Sequence, residues 1–160
     1  MNKKTAYLGL FLALALICSY IESLIPFYFG IPGVKLGLTN IVVVMMLYCI
    51  GAKEALLVSL LRIVLAGFMF GNMFSILYSL AGAALSLTVM TFMKKKSGFS
   101  ILGISVAGGV SHNIGQLVIA MLILHSSSVF LYAPALLVAG VAAGVVIGGL
   151  TSEILKRVHF

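Results

Sequence analysis

Residues 72–96 read NMFSILYSLAGAALSLTVMTFMKKK, a run of 22 residues without a charge that ends in three consecutive lysines. An α-helix needs about 20 apolar residues to cross the hydrocarbon core of a bilayer. Lysine and arginine concentrate on the cytoplasmic side of such helices. The stretch therefore predicts a transmembrane helix over Asn72 to Met93 whose lysine-bearing end faces the cytoplasm.

The rest of the 160-residue chain has the same character. Hydrophobic residues make up 62% of it and charged residues only 8%, whereas an ordinary soluble domain carries about 25% charged residues. Its charges and turn residues divide the chain into six apolar stretches. The other five are Thr5 to Ile25, Leu36 to Ile50, Glu54 to Phe70, Ser100 to Leu124 and Leu131 to Ser152. We therefore predict an all-α integral membrane protein, a single domain of six transmembrane helices over residues 1–160.

The positions of the basic residues support an even number of helices. With the N terminus in the cytoplasm, six helices leave Lys35 as the only basic residue in an external segment. The cytoplasmic segments then carry Lys3, Lys4, Lys53, Lys94, Lys95, Lys96, Lys156 and Arg157. This asymmetry is typical of bacterial membrane proteins and predicts that both termini are cytoplasmic. It also accounts for the formal charge of +7 without a nucleic-acid partner.

The chain lacks the residues that several classes of function require. The chain has three Glu and no Asp, so it offers no carboxylate cluster to hold magnesium. It contains no Walker phosphate loop, no Gly-x-Ser-x-Gly elbow and no spacing typical of metal ligands. We expect a protein that is not an enzyme, with no catalytic residue, no metal and no cofactor.

Polar side chains within the predicted helices indicate a binding site, because such groups are costly in hydrocarbon and usually face an interior cavity. Arg62 lies about 12 Å from the cytoplasmic end of its helix at 1.5 Å per residue. Its side chain either recognises an anionic group or pairs with an acid, or else it snorkels toward the cytoplasm or pairs with backbone carbonyls. If the polar residues converge, they form an outward-facing pocket for an anionic or strongly polar small molecule. The candidate residues are Lys35, Thr39, Asn40, Arg62, Asn72, His112, Asn113 and Gln116.

Small residues spaced four apart predict where helices pack closely, because lipid supplies no hydrophobic drive between helices. The sixth stretch carries Gly140, Gly144 and Gly148 in one row, which favours tight packing within the bundle. The first stretch carries Gly9 and Ala13. That pair is either a packing face of the bundle or a docking face for another membrane protein.

The order of these residues is similar to that of a known family. The relevant segments are Gly33–Asn40, Leu61–Ile63, Ser79–Ala83, Gly103–Ser105 and Ser111–Gln116. Through them the chain resembles the Gx transporter family, which is also labelled heptaprenyl diphosphate synthase component I. That family is similar to the substrate-binding subunits of energy-coupling-factor transporters, small six-helix proteins that capture a vitamin-like solute outside the cell.

The resemblance implies a solute-binding subunit of the bacterial cytoplasmic membrane, powered by a separate transmembrane coupling subunit and two ATPases. In the related subunits the coupling subunit docks on a small-residue row of the first helix, which corresponds here to Gly9 and Ala13. The synthase label implies a different function, a membrane component of heptaprenyl or polyprenyl diphosphate synthesis. Without Asp the chain could only be its non-catalytic component.

Overall fold

The computed structural model describes residues 3–24, 37–96, 98–125 and 127–157 of the chain. Every regular element in these ranges is a helix. The six α-helices are α1 (Lys3–Leu24), α2 (Leu38–Cys49), α3 (Ala52–Phe70), α4 (Met73–Lys95), α5 (Ile101–Leu124) and α6 (Ala133–Arg157), and a 3₁₀ helix, Ser127–Tyr132, precedes α6. The prediction of an all-α protein is confirmed, with one α-helix in each of the six apolar stretches.

Four helical segments in the described ranges are long and apolar enough to cross a membrane. They are α1, α4, α5 and the segment Ser128–Arg157, which contains α6. The fold is therefore that of a helical membrane protein. The other two helices come from the two shortest stretches: α2 has 12 residues, and α3 has 19 residues that include Lys53, Glu54 and Arg62. At 1.5 Å per residue α2 is only about 18 Å long, against roughly 30 Å of hydrocarbon.

The six α-helices form a closed ring. Around this ring the order is α1, α3, α4, α5, α6 and α2, and α2 completes it by packing against α1. The helix α2 also contacts α3. Because every helix has a neighbour on both sides, each one can direct side chains into the same central space.

One end of the bundle carries the basic residues. The ammonium group of Lys4 lies 2.5 Å from the Glu54 carboxylate, which joins the start of α1 to the start of α3. The Lys94 ammonium donates to the carbonyl of Leu47, so the end of α4 lies beside the end of α2. We call this the basic end of the bundle, and the opposite end, where α1 finishes and α2 begins, the far end.

The hydrophobic core fills the half of the bundle nearer the basic end. Its buried members come from α1, α2, the first half of α3, the end of α4, the start of α5 and the middle of α6, and they include Phe11, Ala15, Val44, Met46, Leu47, Ala55, Val58, Met90, Ile104 and Ile147. These side chains leave little space between the helices. The far half is the part of the ring that remains partly hollow.

The glycine row of α6 brings that helix against the backbone of α5. A Cβ atom added at Gly144 would lie 2.5 Å from the Cα of Val106, and one at Gly148 would lie 2.8 Å from the Cα of Leu102. On the α5 side, a Cβ at Gly109 would lie 2.5 Å from the carbonyl oxygen of Gly140. The packing role predicted for Gly140, Gly144 and Gly148 is therefore confirmed.

Gly144→Ala should destabilise the protein, because the new methyl group meets backbone atoms that cannot move without separating the two helices. Overpacking of this kind typically costs about 1–3 kcal/mol. Gly149→Ala, on the same helix, is the matched control, since nothing lies within 4 Å of its added Cβ. Thermal unfolding in detergent should show a lower melting temperature for Gly144→Ala only. Equal melting temperatures for the two variants would contradict the close contact.

Candidate functional site

A polar pocket lies between the helices, in the far half of the bundle. Residues of all six α-helices line it, together with Gly37, which precedes α2. The lining residues are Glu22, Gly37, Thr39, Asn40, Arg62, Ser79, Gly109, His112, Asn113, Gln116, Ala139, Gly140, Ala143 and Ile147. A concave site with a few convergent polar groups is the usual form of a small-molecule site.

Arg62 is the basic residue of this pocket. Its side chain reaches the pocket from the middle of α3, and its Nε atom is fully buried without a hydrogen-bond partner in the described part of the chain. The charge of Glu22 acts on the guanidinium, but no carboxylate oxygen of the described residues lies within 4.0 Å of it. A buried donor without a partner is costly, so this atom offers a strong site for an oxygen ligand.

Glu22 connects the end of α1 to the start of α2. Its carboxylate accepts a hydrogen bond from the backbone N–H of Gly37 and a second one, at 3.3 Å, from the Thr39 hydroxyl. The buried hydroxyl of Ser19 lies 3.0 Å from the Thr39 hydroxyl, so Ser19 donates when Thr39 donates to Glu22. Gly37 has φ +72°, a conformation that glycine adopts without a steric penalty. This network holds one rim of the pocket.

The imidazole of His112 lies against the backbone of Gly82 on α4. A Cβ atom added at Gly82 would lie 2.8 Å from Cε1 and 2.9 Å from both ring nitrogens of His112. Three ring atoms at nearly the same distance mean that the ring faces Gly82 with its flat side. The glycine therefore leaves space for the imidazole between α4 and α5.

Two amide side chains of α5 complete the polar wall. The Nδ2 atom of Asn113 donates to the carbonyl oxygen of Leu136 at 2.7 Å, which fixes the orientation of that amide against α6. Gln116, one turn further on, is buried, with 8% of its surface exposed. The neighbouring Ser111 instead donates to the carbonyls of Ala107 and Gly108 in its own helix, so it does not line the pocket.

The pocket brings together most of the residues that the sequence predicted for a site: Thr39, Asn40, Arg62, His112, Asn113 and Gln116. The structure places Asn72 elsewhere, as the N-cap of α4, where its side chain accepts from the backbone N–H of Ser75 at 2.8 Å. Lys35 lies outside the described residues. The predicted docking residues Gly9 and Ala13 are exposed on α1.

Sequence reasoning missed Glu22 and Ser79 as lining residues. Glu22 follows Ser19 at a spacing of three and so shares its helix face, which is the signal that could have identified it. Ser79 and Ala83 are small residues spaced four apart, a spacing that indicates helix packing and not a binding site. With Glu22 present, the described part of the pocket contains a carboxylate beside the Arg62 guanidinium and is not simply cationic.

The volume of the pocket limits what it holds in this conformation. It amounts to about 40 Å³ of space open to the centre of a water molecule, and about 10–15 Å³ is enough for one water. The pocket therefore has room for about three waters, or for one compact group of similar size. A larger guest requires either a change in shape or a neighbouring cavity.

A family model described as Heptaprenyl diphosphate synthase component I matches residues 11–154, about nine-tenths of the chain and the entire lining of the pocket. No curated protein matches the chain, and no solved structure matches it.

Glu22→Ala should destabilise the protein by about 1–3 kcal/mol, because it leaves the Gly37 N–H and the Thr39 hydroxyl without their acceptor. Glu153→Ala is the control, since Glu153 forms exposed ion pairs with Lys156 and Arg157 and such pairs contribute at most about 1 kcal/mol. The measurement is thermal unfolding of both variants in the same detergent. An unchanged melting temperature for Glu22→Ala would show that its hydrogen bonds do not hold the rim.

Proposed function

This chain belongs to the heptaprenyl diphosphate synthase component I family, and from that premise we propose that it is a membrane-embedded binding subunit for a small polar solute with an anionic oxygen group. The observation that carries the proposal is the buried Nε of Arg62, which has no hydrogen-bond partner in the described part of the chain. A guanidinium inside a membrane bundle needs oxygen acceptors. A carboxylate or phosphate of the guest supplies them.

The glutamates of the chain do not supply these oxygen acceptors to Arg62. Glu22 is the acid that lines the same pocket, but its oxygens accept from Gly37 and Thr39. Glu54 and Glu153 pair with lysine and arginine at the basic end. Arg62 is therefore available for a guest, and planar N–H donors of this kind bind carboxylates and phosphates with two parallel hydrogen bonds.

Four other polar side chains of the pocket give the site its selectivity. Asn40, His112, Asn113 and Gln116 offer donors and acceptors on two sides of the space that Arg62 faces. A site built from several buried polar groups rejects a molecule that leaves them unpaired, because each unpaired group is costly. We expect a compact, polar head on the bound solute.

Uptake of such a solute needs other subunits in this proposal. The chain has no phosphate loop, so the energy comes from a separate coupling subunit and ATPases, as in the energy-coupling-factor transporters that the chain resembles. The proposal includes six spans, cytoplasmic termini, an outward-facing pocket and the bacterial cytoplasmic membrane. The basic residues at one end of the bundle and the pocket nearer the other support this orientation.

The surface proposed for the coupling subunit is the exposed row of Gly9 and Ala13 on α1. Nothing lies within 4 Å of a Cβ atom added at Gly9, and both residues are exposed. Small residues allow the backbone of a second helix to approach closely. Large apolar side chains flank the row: Leu10, Leu14 and Ile17 are also exposed.

The family description favours a second function, in which the protein is the non-catalytic membrane component of a heptaprenyl diphosphate synthase. Condensation of prenyl diphosphates needs magnesium held by carboxylates, and this chain has no Asp. In this alternative the protein associates with a catalytic prenyltransferase, and Arg62 holds a diphosphate. The two functions differ in the partner.

Arg62→Met should weaken solute binding about 10- to 100-fold, because a hydrogen bond to a charged group contributes about 1.5–3 kcal/mol. Native mass spectrometry of protein purified gently from its own membranes identifies the bound molecule, and titration of the stripped protein with it gives the affinity. Arg157→Met is the matched control, since Arg157 lies at the basic end and pairs with Glu153. Equal affinities for the wild type and Arg62→Met would place the solute elsewhere.

Gly9→Leu and Ala13→Leu should abolish copurification with a coupling subunit and leave solute affinity unchanged, because the added side chains keep the partner helix at a distance. Gly149→Leu provides a control at a second exposed glycine. Retained copurification would contradict the docking surface. Recovery of a soluble prenyltransferase, without a coupling subunit or ATPases, would instead support the synthase component.

A further inference from the structure

A second cavity adjoins the polar pocket on the side of the far end. Its volume is about 100 Å³, larger than that of the pocket itself. Apart from one amide and two tyrosines its lining is apolar: Tyr78, Gln116, Leu117, Ala120, Leu124, Val129, Tyr132 and Leu136. A mostly apolar lining with a few polar groups favours an apolar guest.

The polar pocket and the apolar cavity are consecutive along three helices. On α4, Tyr78 lines the cavity and the next residue, Ser79, lines the pocket. On α6, Leu136 lines the cavity and Gly140, one turn later, lines the pocket. On α5, Gln116 lines both. The two spaces therefore share a boundary made by one turn of each helix.

Gln116 is the side chain at this boundary. Its side chain is 8% exposed and lines both spaces, so its amide is accessible from them. An amide offers two N–H donors and a carbonyl acceptor. A guest that extends from the pocket into the cavity passes this amide and can hydrogen-bond to it.

We propose that the guest is amphipathic, with its anionic head at Arg62 and a short apolar portion that passes Gln116 into the cavity bounded by Leu117, Ala120 and Leu136. This inference rests on the proposed binding function and adds the substrate class. The adjoining cavity also resolves the size limit of the pocket, because the pocket needs to hold only the head.

The apolar portion is short. Along α5 the cavity extends from Gln116 to Leu124, eight residues or about 12 Å at 1.5 Å per residue. A chain that exceeds this length gains no further contact inside the cavity. The site thus selects by the length of the apolar portion as well as by the charge of the head.

The test uses inorganic phosphate, butyl phosphate and octyl phosphate as probes. Their affinities are measured by isothermal titration calorimetry on the full-length protein in phosphatidylcholine nanodiscs, with empty nanodiscs as the reference for partition into lipid. Each buried methylene should strengthen binding about fourfold. Butyl phosphate should therefore bind at least about tenfold more tightly than inorganic phosphate, and octyl phosphate more tightly again.

Substitutions at two alanine positions locate the apolar portion of the guest. Ala120→Phe fills the cavity and should remove the dependence of the affinity on chain length. Ala142→Phe, at an exposed position of α6, is the matched control and should behave as the wild type. Ala120→Leu is the smaller replacement if Ala120→Phe fails to fold, and it should reduce the dependence on length.

The outcomes separate this inference from the proposed function. Phosphate binding that depends on Arg62 but not on chain length would overturn the amphipathic guest and leave the binding function intact. If no probe binds in an Arg62-dependent way, both are wrong. A length dependence that persists in Ala120→Phe or in Arg62→Met reports partition into lipid and would overturn the inference.

Discussion

The contact between the backbones of α5 and α6 is the constraint on which the site depends. In lipid there is no hydrophobic driving force between two apolar helices, so their association relies on close approach of their backbones. The glycines at 140, 144 and 148 allow it, and a Cβ at Gly140 would lie 3.0 Å from Nδ2 of Asn113. The same contact that joins the helices thus sets the position of the amide wall of the pocket.

Apolar side chains fill one half of the bundle, whereas the other half contains the polar pocket. Large apolar side chains such as Met46, Leu47 and Ile104 close the half near the basic end. In the far half, glycine and alanine take the place of large side chains on α6, and polar groups from every helix face the remaining space. A filled base with a polar cavity above it is consistent with the solute binding that we propose.

The proposals fit together through the adjoining cavities. Arg62 and the amides define a small polar space, and the apolar cavity beyond Gln116 extends it along α4, α5 and α6. A solute-binding subunit and a synthase component both require a partner protein, but they differ in what that partner is. An amphipathic guest is compatible with either function. The identity of the bound molecule therefore tests the proposed guest, whereas the identity of the copurifying protein distinguishes the two functions.

The sequence by itself determined the helices, because apolar runs bounded by charges and turn residues leave a membrane chain no other regular structure. It also identified most of the pocket, from Thr39 to Gln116, because polar side chains in apolar helices are few. Only the tertiary structure decided that Glu22 and Ser79 line that pocket, since this depends on which helices are neighbours. The cap that Asn72 makes on α4 is instead a local contact with Ser75, three residues further on, of the kind that asparagine commonly makes at the start of a helix. The cavity beyond Gln116 was invisible in the sequence, because its apolar lining is the same as that of any packed helix and only the ring arrangement leaves it empty.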